Sequence, residues 1–93
     1  MHTWTFLTNH AQVLLCIARS QHMTAKEIAE VVGITERAVQ RLIRDLEESG
    51  YIVGVRVGRQ NRYVIRIDHP MRHPAQAGHL IGALIDLLGA GNS

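Results

Sequence analysis

Between residues 24 and 48, apolar side chains recur at spacings of three and four. Ile28, Val31 and Val32 make one inward face. Val39, Leu42, Ile43 and Leu46 make a second, with Arg37, Arg41, Arg44 and Glu48 on the side opposite. Two helices are predicted, and their ends can be read directly. Thr24 followed by Glu27 is a capping box, in which hydroxyl and carboxylate each satisfy a backbone N–H at the helix start. Gly33 can take the left-handed conformation that closes this helix. Thr35 caps the next one, Glu36 sits on its positive dipole end, and Ser49-Gly50 ends it. Two short helices meeting at a glycine turn of this length form a helix-turn-helix.

The flanks follow other patterns. Thr8 is the N-cap of a helix running to Arg19, whose centre, Val-Leu-Leu-Cys-Ile-Ala at 13–18, is apolar on nearly every side. Such a helix must be covered all round, by its own domain or by a second subunit. Trp4 and Phe6 alternate with threonines and are expected to fold back onto it.

After Gly50 the period changes to two. Val53, Val55 and Val57 alternate with Gly54 and Arg56; Tyr63, Ile65 and Ile67 alternate with Val64 and Arg66. Keeping both apolar sets on one face sets Val57 opposite Tyr63, joined by Arg59-Gln60-Asn61 as a three-residue loop with Asn61 left-handed. Two prolines make 68–74 extended, and Pro74 opens a last helix to Leu88. Its apolar positions exceed one buried stripe. Leu80, Ile81, Leu84, Ile85 and Leu88 are therefore candidates for a homodimer interface, and Gly78 and Gly82 would let a neighbouring backbone approach.

The expected architecture is α+β and mainly α: a winged helix-turn-helix, with a three-helix core, a two-stranded β-wing and a C-terminal dimerisation helix. One domain spans 1–93, with the helix-turn-helix at 24–48, the wing at 51–67 and the C-terminal helix at 74–88. With 46% hydrophobic and 19% charged residues in 93, disorder is excluded. A net charge of +2 hides an uneven distribution, because seven of the ten Lys and Arg residues lie within 37–66. The stretch 51–67 holds four arginines and no acidic residue, which suits a polyanionic partner. A single cysteine, no secretory leader pattern and no apolar run long enough for a bilayer give a cytoplasmic expectation, with no membrane partner.

The residues also resemble a known family. Ile28, Val32, Ile34, Val39 and Leu42 are apolar, Ala29 is small and Gly33 is glycine, as the helix-turn-helix pattern requires. With the hairpin ending Gly-Arg-Gln-Asn-Arg-Tyr, the chain is similar to small dimeric winged helix-turn-helix transcriptional regulators of the MarR-like and ArsR-like groups. The resemblance is strongest over 24–67 and implies a homodimer on pseudo-palindromic DNA.

An α-helix fits the major groove, where each base pair shows a distinct donor–acceptor pattern, and residues near the helix start reach deepest. Arg37, Gln40 and Arg41 are placed for that role and Arg44 for a phosphate, and Thr35 joins them among the DNA-binding candidates. The bland alternative is a solvated face on which Arg41 pairs with Asp45 and Arg44 with Glu47 or Glu48. Arg56, Arg59 and Arg62 are candidates for phosphate or minor-groove contacts, against an alternative in which they guard an edge strand. Arg59 is the strongest of them, and Arg66 reads as ordinary surface.

Six histidines raise the question of metal, but His69 and His73 are separated by Pro70 and share no helix face, and Cys16 sits in an apolar run. No metal, cofactor or catalytic residue is expected, since no P-loop, dinucleotide fingerprint or His-Glu-x-x-His occurs. A small-molecule effector leaves no readable signature. The expected partners are double-stranded DNA and a second copy of the chain. The competing readings are a winged-helix protein–protein interaction module and a sequence-independent nucleic-acid binder.

Overall fold

The computed structural model describes residues 4–20 and 22–89. Its elements run α1 (Asn9–Arg19), α2 (Ala25–Val32), α3 (Glu36–Glu48), β1 (Ile52–Val57), β2 (Gln60–Ile65), a single 3-10 turn (Pro74–Gln76) and α4 (Ile81–Leu88). Helices α1 to α3 pack on one another, the antiparallel β1–β2 hairpin follows α3, and α4 returns to α1. This is a winged helix, mainly helical.

The predicted caps are in place. Thr8 Oγ1 accepts from Ala11 N at the start of α1. Thr24 Oγ1 accepts from Glu27 N at 3.1 Å while Glu27 Oε1 accepts from Thr24 N at 2.8 Å, so the capping box is complete. Gly33 closes α2 at φ +85°, and Thr35 Oγ1 accepts from Ala38 N at the start of α3. Each of these helix ends is satisfied within four residues.

Five consecutive residues of α1, Val13 to Ile17, are buried, which answers the question its apolar sequence raised. α2, α3, α4 and β2 of the same chain all touch α1. Against it lie Ile28 and Ala29 of α2, Val39, Leu42, Ile43 and Leu46 of α3, and Tyr51, Ile52, Ile81 and Ile85. Cys16 is part of this core, and burial pushes its thiol up from the ordinary value while Arg19 pulls weakly the other way.

Four expectations require correction. Val31 is 61% exposed, because the buried stripe of α2 runs through Ala25, Ile28, Ala29 and Val32 and Val31 lies to one side of it. Trp4 and Phe6 do not cover α1. They are exposed and stack edge-to-face on each other with ring centroids 4.8 Å apart. Of the described residues before Thr8, only Leu7 packs on the core.

The wing is shifted in register. Val57 pairs with Gln60, not Tyr63, across the two-residue connection Gly58-Arg59. Gly58, at φ +61°, supplies the positive φ that a tight hairpin needs at its first central residue. Asn61 is not left-handed; it lies inside β2 opposite Arg56. An even connection divides the apolar residues between two faces. Ile52, Tyr63 and Ile65 turn to the core, whereas Val53, Val55, Val57 and Val64 remain exposed on the other side.

The last helix is shorter than predicted. Pro74 opens only the 3-10 turn, and α4 begins at Ile81. A helix continuous from Pro74 would need Ile81 N to reach Ala77 O and Gly82 N to reach Gly78 O. Those donors go elsewhere: Ile81 N donates to His69 O at 2.8 Å and Gly82 N to Ile67 O at 2.9 Å, while Met71 N donates to His79 O. Pairing with the 67–71 segment therefore interrupts the helix. Gly82 does admit a neighbouring backbone, since a Cβ there would lie 2.7 Å from Ile67 O, but Gly78 has nothing near it.

Candidate nucleic-acid interface

α3 presents its polar side because its apolar side is fully used by the core. Val39, Leu42, Ile43 and Leu46 are buried, which forces Arg37, Gln40, Arg41 and Arg44 outward, and all four are exposed. Together with Thr35 they line one open hollow of about 490 Å³ along the helix. The structure thus brings all five predicted α3 residues into a single surface, beginning at the capped end of the helix.

The arginines of this face are not neutralised by their own helix. Asp45, the expected partner of Arg41, instead holds His10 Nε2 of α1 at 2.8 Å, the one ion pair among the described residues. Neither Glu47 nor Glu48 pairs with Arg44. Of the two readings of this face, the bland one loses its supporting contacts. Uncompensated guanidinium groups on a convex helix face suit phosphate oxygens and guanine edges.

In the wing the three predicted arginines separate. Arg59 occupies the connection at the hairpin tip. Arg56, opposite Asn61, lies on the side of the sheet that turns toward the core, and its Nε makes only a long bond to Gly58 O at 3.4 Å. Arg62 is opposite Val55 on the outer side, half-buried, with its Nε buried and unpartnered. Parity alone therefore distinguishes Arg56 from Arg62.

A second hollow, of about 420 Å³, lies between α3 and the wing. Gln40, Arg44 and Glu47 line it from α3, Asn61 and Tyr63 from β2, and Thr24 from the start of α2. Burial pushes the Tyr63 phenol up from its ordinary value, and the nearby Glu47 carboxylate adds to the shift. Sequence reasoning gave Asn61 only a turn role. Its place in this wall depends on the hairpin register, which no local pattern reveals.

The candidate dimer residues also divide. Ile81 and Ile85 are buried in the chain's own core, Leu84 and Leu88 are partly buried against it, and Leu80 is 47% exposed. Leu87, outside the predicted set, is 75% exposed. No described helix is long and apolar enough to cross a membrane.

A capped helix-turn-helix with an arginine-bearing second helix, followed by a β-hairpin, defines the winged helix-turn-helix class. Within that class, residues 5–62 match the family model described as MarR family, and the chain belongs to that family. The family is one of DNA-binding transcriptional regulators. The chain is also 33% identical over 63 residues to Uncharacterized protein MJ1254 of Methanocaldococcus jannaschii. The match covers 67% of this chain but only 13% of the length of that protein. No solved structure matches.

Proposed function

We propose that this chain is a sequence-specific double-stranded-DNA-binding transcriptional regulator of the cytoplasm, acting as a homodimer on a near-palindromic operator. One observation supports the reading: Arg37, Gln40, Arg41 and Arg44 share an exposed face of α3, and none is paired to a carboxylate among the described residues. Arg41 and Gln40 read bases, Arg44 and the wing arginines meet phosphates, and Thr35 orients the helix start. No catalytic step and no cofactor enter this account.

Selection of bound sites from a random duplex library tests it. A specific regulator gains about 10³-fold or more on its selected site over random duplex. Arg41→Ala should then cost about 1–3 kcal/mol on that site and relax one base position. A library that returns no preferred sequence points to sequence-independent binding; a library that returns no bound duplex points to a protein–protein module.

The second subunit docks through α4. Leu80, Leu84, Leu87 and Leu88 follow one helical stripe with apolar area still exposed or half-exposed. Exposed Trp4 and Phe6 supply further apolar surface. A two-fold dimer would set two α3 helices about 34 Å apart, one duplex turn. Light scattering reads the assembly directly, and a stable monomer at tens of micromolar would overturn the dimer.

A further inference from the structure

Two exposed apolar patches of this chain carry opposite charge. The outer side of the wing presents Val53, Val55 and Val57 of β1 beside Arg62 and Val64 of β2, and all four valines are exposed. No acidic residue occurs anywhere in 51–67. Arg62 has its Nε buried without a hydrogen-bond partner and takes part in no ion pair among the described residues. The outward side of α2 is the counterpart. Glu27, Glu30 and Val31 are spaced three and four apart, so they share one helical stripe, and all three are exposed. With His22 and Met23 they line an open hollow of about 370 Å³.

Among the described residues nothing covers either patch, and α2 does not touch the hairpin. DNA is a poor cover for the wing face, since valine methyls offer a phosphate strand nothing. A second wing face is no better, because it would set Arg62 against Arg62 with no carboxylate between them. The occupant must bring apolar atoms and carboxylates together, and the α2 stripe brings both. We propose that the outer wing face of one copy docks on the outward stripe of α2 in a second copy. Val31 packs among Val53, Val55 and Val64. Glu30 pairs with Arg62, whose planar guanidinium suits a carboxylate in a partly desolvated seam.

The two faces differ, so the contact is head-to-tail and leaves α4 free. It adds copies beyond a two-fold pair. With about five side chains from each copy, the seam is far smaller than the roughly 20–30 residues a side of a stable interface. It is therefore weak between free molecules and gains force where copies are already held side by side. On the DNA-binding reading above, one duplex does that, and neighbouring sites fill cooperatively. Arg62 then has a carboxylate as its partner, which leaves Arg59 and Arg56 to the duplex.

Light scattering without DNA, over a concentration series reaching about 1 mM, tests the contact apart from the DNA-binding reading. Wild-type mass should climb past its low-concentration value. Glu30→Arg and Val55→Glu each set like charges across the seam, and each should weaken this association by about tenfold or more. Thermal melts confirm that each variant is folded. An equimolar mixture of the two variants places the new guanidinium opposite the new carboxylate, and should associate at least as strongly as the wild type. A wild type that climbs in mass yet binds no duplex would end the DNA-binding reading and keep the contact. A wild-type mass that stays constant through the series, or single variants that associate as the wild type does, would overturn the contact. So would a mixture that fails to recover, which would assign the wing face to a different protein.

Discussion

Helices α3 and α4 both rest on α1, yet their starts are held in opposite ways. α3 begins at Thr35, whose hydroxyl accepts from Ala38 N three residues on. The N-cap of α4 is Leu80, whose side chain makes no capping hydrogen bond. The N–H groups of Ile81 and Gly82 are satisfied instead by His69 O and Ile67 O, twelve and fifteen residues upstream. The segment that provides those carbonyls is itself pinned to the C-terminal end of α3. Tyr51 Oη donates to Pro70 O at 2.9 Å, the His69 ring bonds Ser49 O through Nε2, and Arg72 Nη1 donates to Ser49 Oγ. A locally capped helix keeps its orientation through its own residues. A helix held through a strap inherits its orientation from wherever the strap is fastened, and here that is α3. The proposed dimer helix and the proposed reading helix are thus joined by hydrogen bonds through the strap, and both pack on α1.

Removing the residue at which the two regions meet should have the largest effect. Leu46 of α3 is 6% exposed and, with Leu14, Tyr51 and Ile81, borders a small cavity between α1, α3 and α4. Leu46→Ala should cost about 3 kcal/mol in urea unfolding, from lost transfer free energy and an enlarged void. Leu87→Ala, at a 75% exposed position of α4, serves as the contrast. Measured on monomer, it should stay within about 0.5 kcal/mol of the wild type. Equal losses for the two would mean that the described burial does not determine stability.

A second pair of variants separates the two kinds of helix start. A methyl group on Gly82 would strike the Ile67 carbonyl at 2.7 Å and the Ile67 Cβ at 2.9 Å, and backbone cannot swing aside as a side chain can. Gly82→Ala should cost about 2 kcal/mol and should speed amide exchange at Ile81 and Met71 as the strap loosens. Thr24→Ala, which breaks the capping box of α2, should cost about 1 kcal/mol and leave exchange in the strap at wild-type rates. A Gly82→Ala protein with wild-type stability and exchange would show that α4 does not depend on the strap.

Legibility from sequence follows the same division. The caps at Thr8, Thr24, Gly33 and Thr35, and the α3 core stripe, rest on interactions within four residues and could be read directly. From that stripe the outward arginines followed by helical geometry alone. The start of α4 depended on hydrogen bonds across twelve and fifteen residues, so Pro74 and an apolar run pointed to a longer helix than exists. In the wing the misreading came from assuming that all the valines share the buried face. They stay exposed on the outer side, at 41–48%, because the two-residue turn sets the register. That one step of register decided Asn61's place in the wall of the hollow between α3 and the wing.

The register makes the last and smallest prediction. The three-residue loop expected from the alternation gives the left-handed position to Asn61, whereas the observed hairpin gives it to Gly58 at φ +61°, with open space around the glycine. Because nothing lies within 4 Å of a Cβ built at Gly58, any loss on substitution there comes from backbone conformation alone. Gly58→Ala should cost about 1 kcal/mol, the penalty of holding an L-residue in the left-handed region. Asn61→Ala, at an exposed position with ordinary strand geometry, should be neutral in stability to within about 0.5 kcal/mol. Urea unfolding of the two variants beside the wild type measures both. The reverse order of losses would restore the three-residue loop and turn Asn61 away from α3. The order expected here keeps it in the wall of the hollow that Arg44 also lines, so that any loss of DNA affinity in Asn61→Ala reports on contact and not on folding.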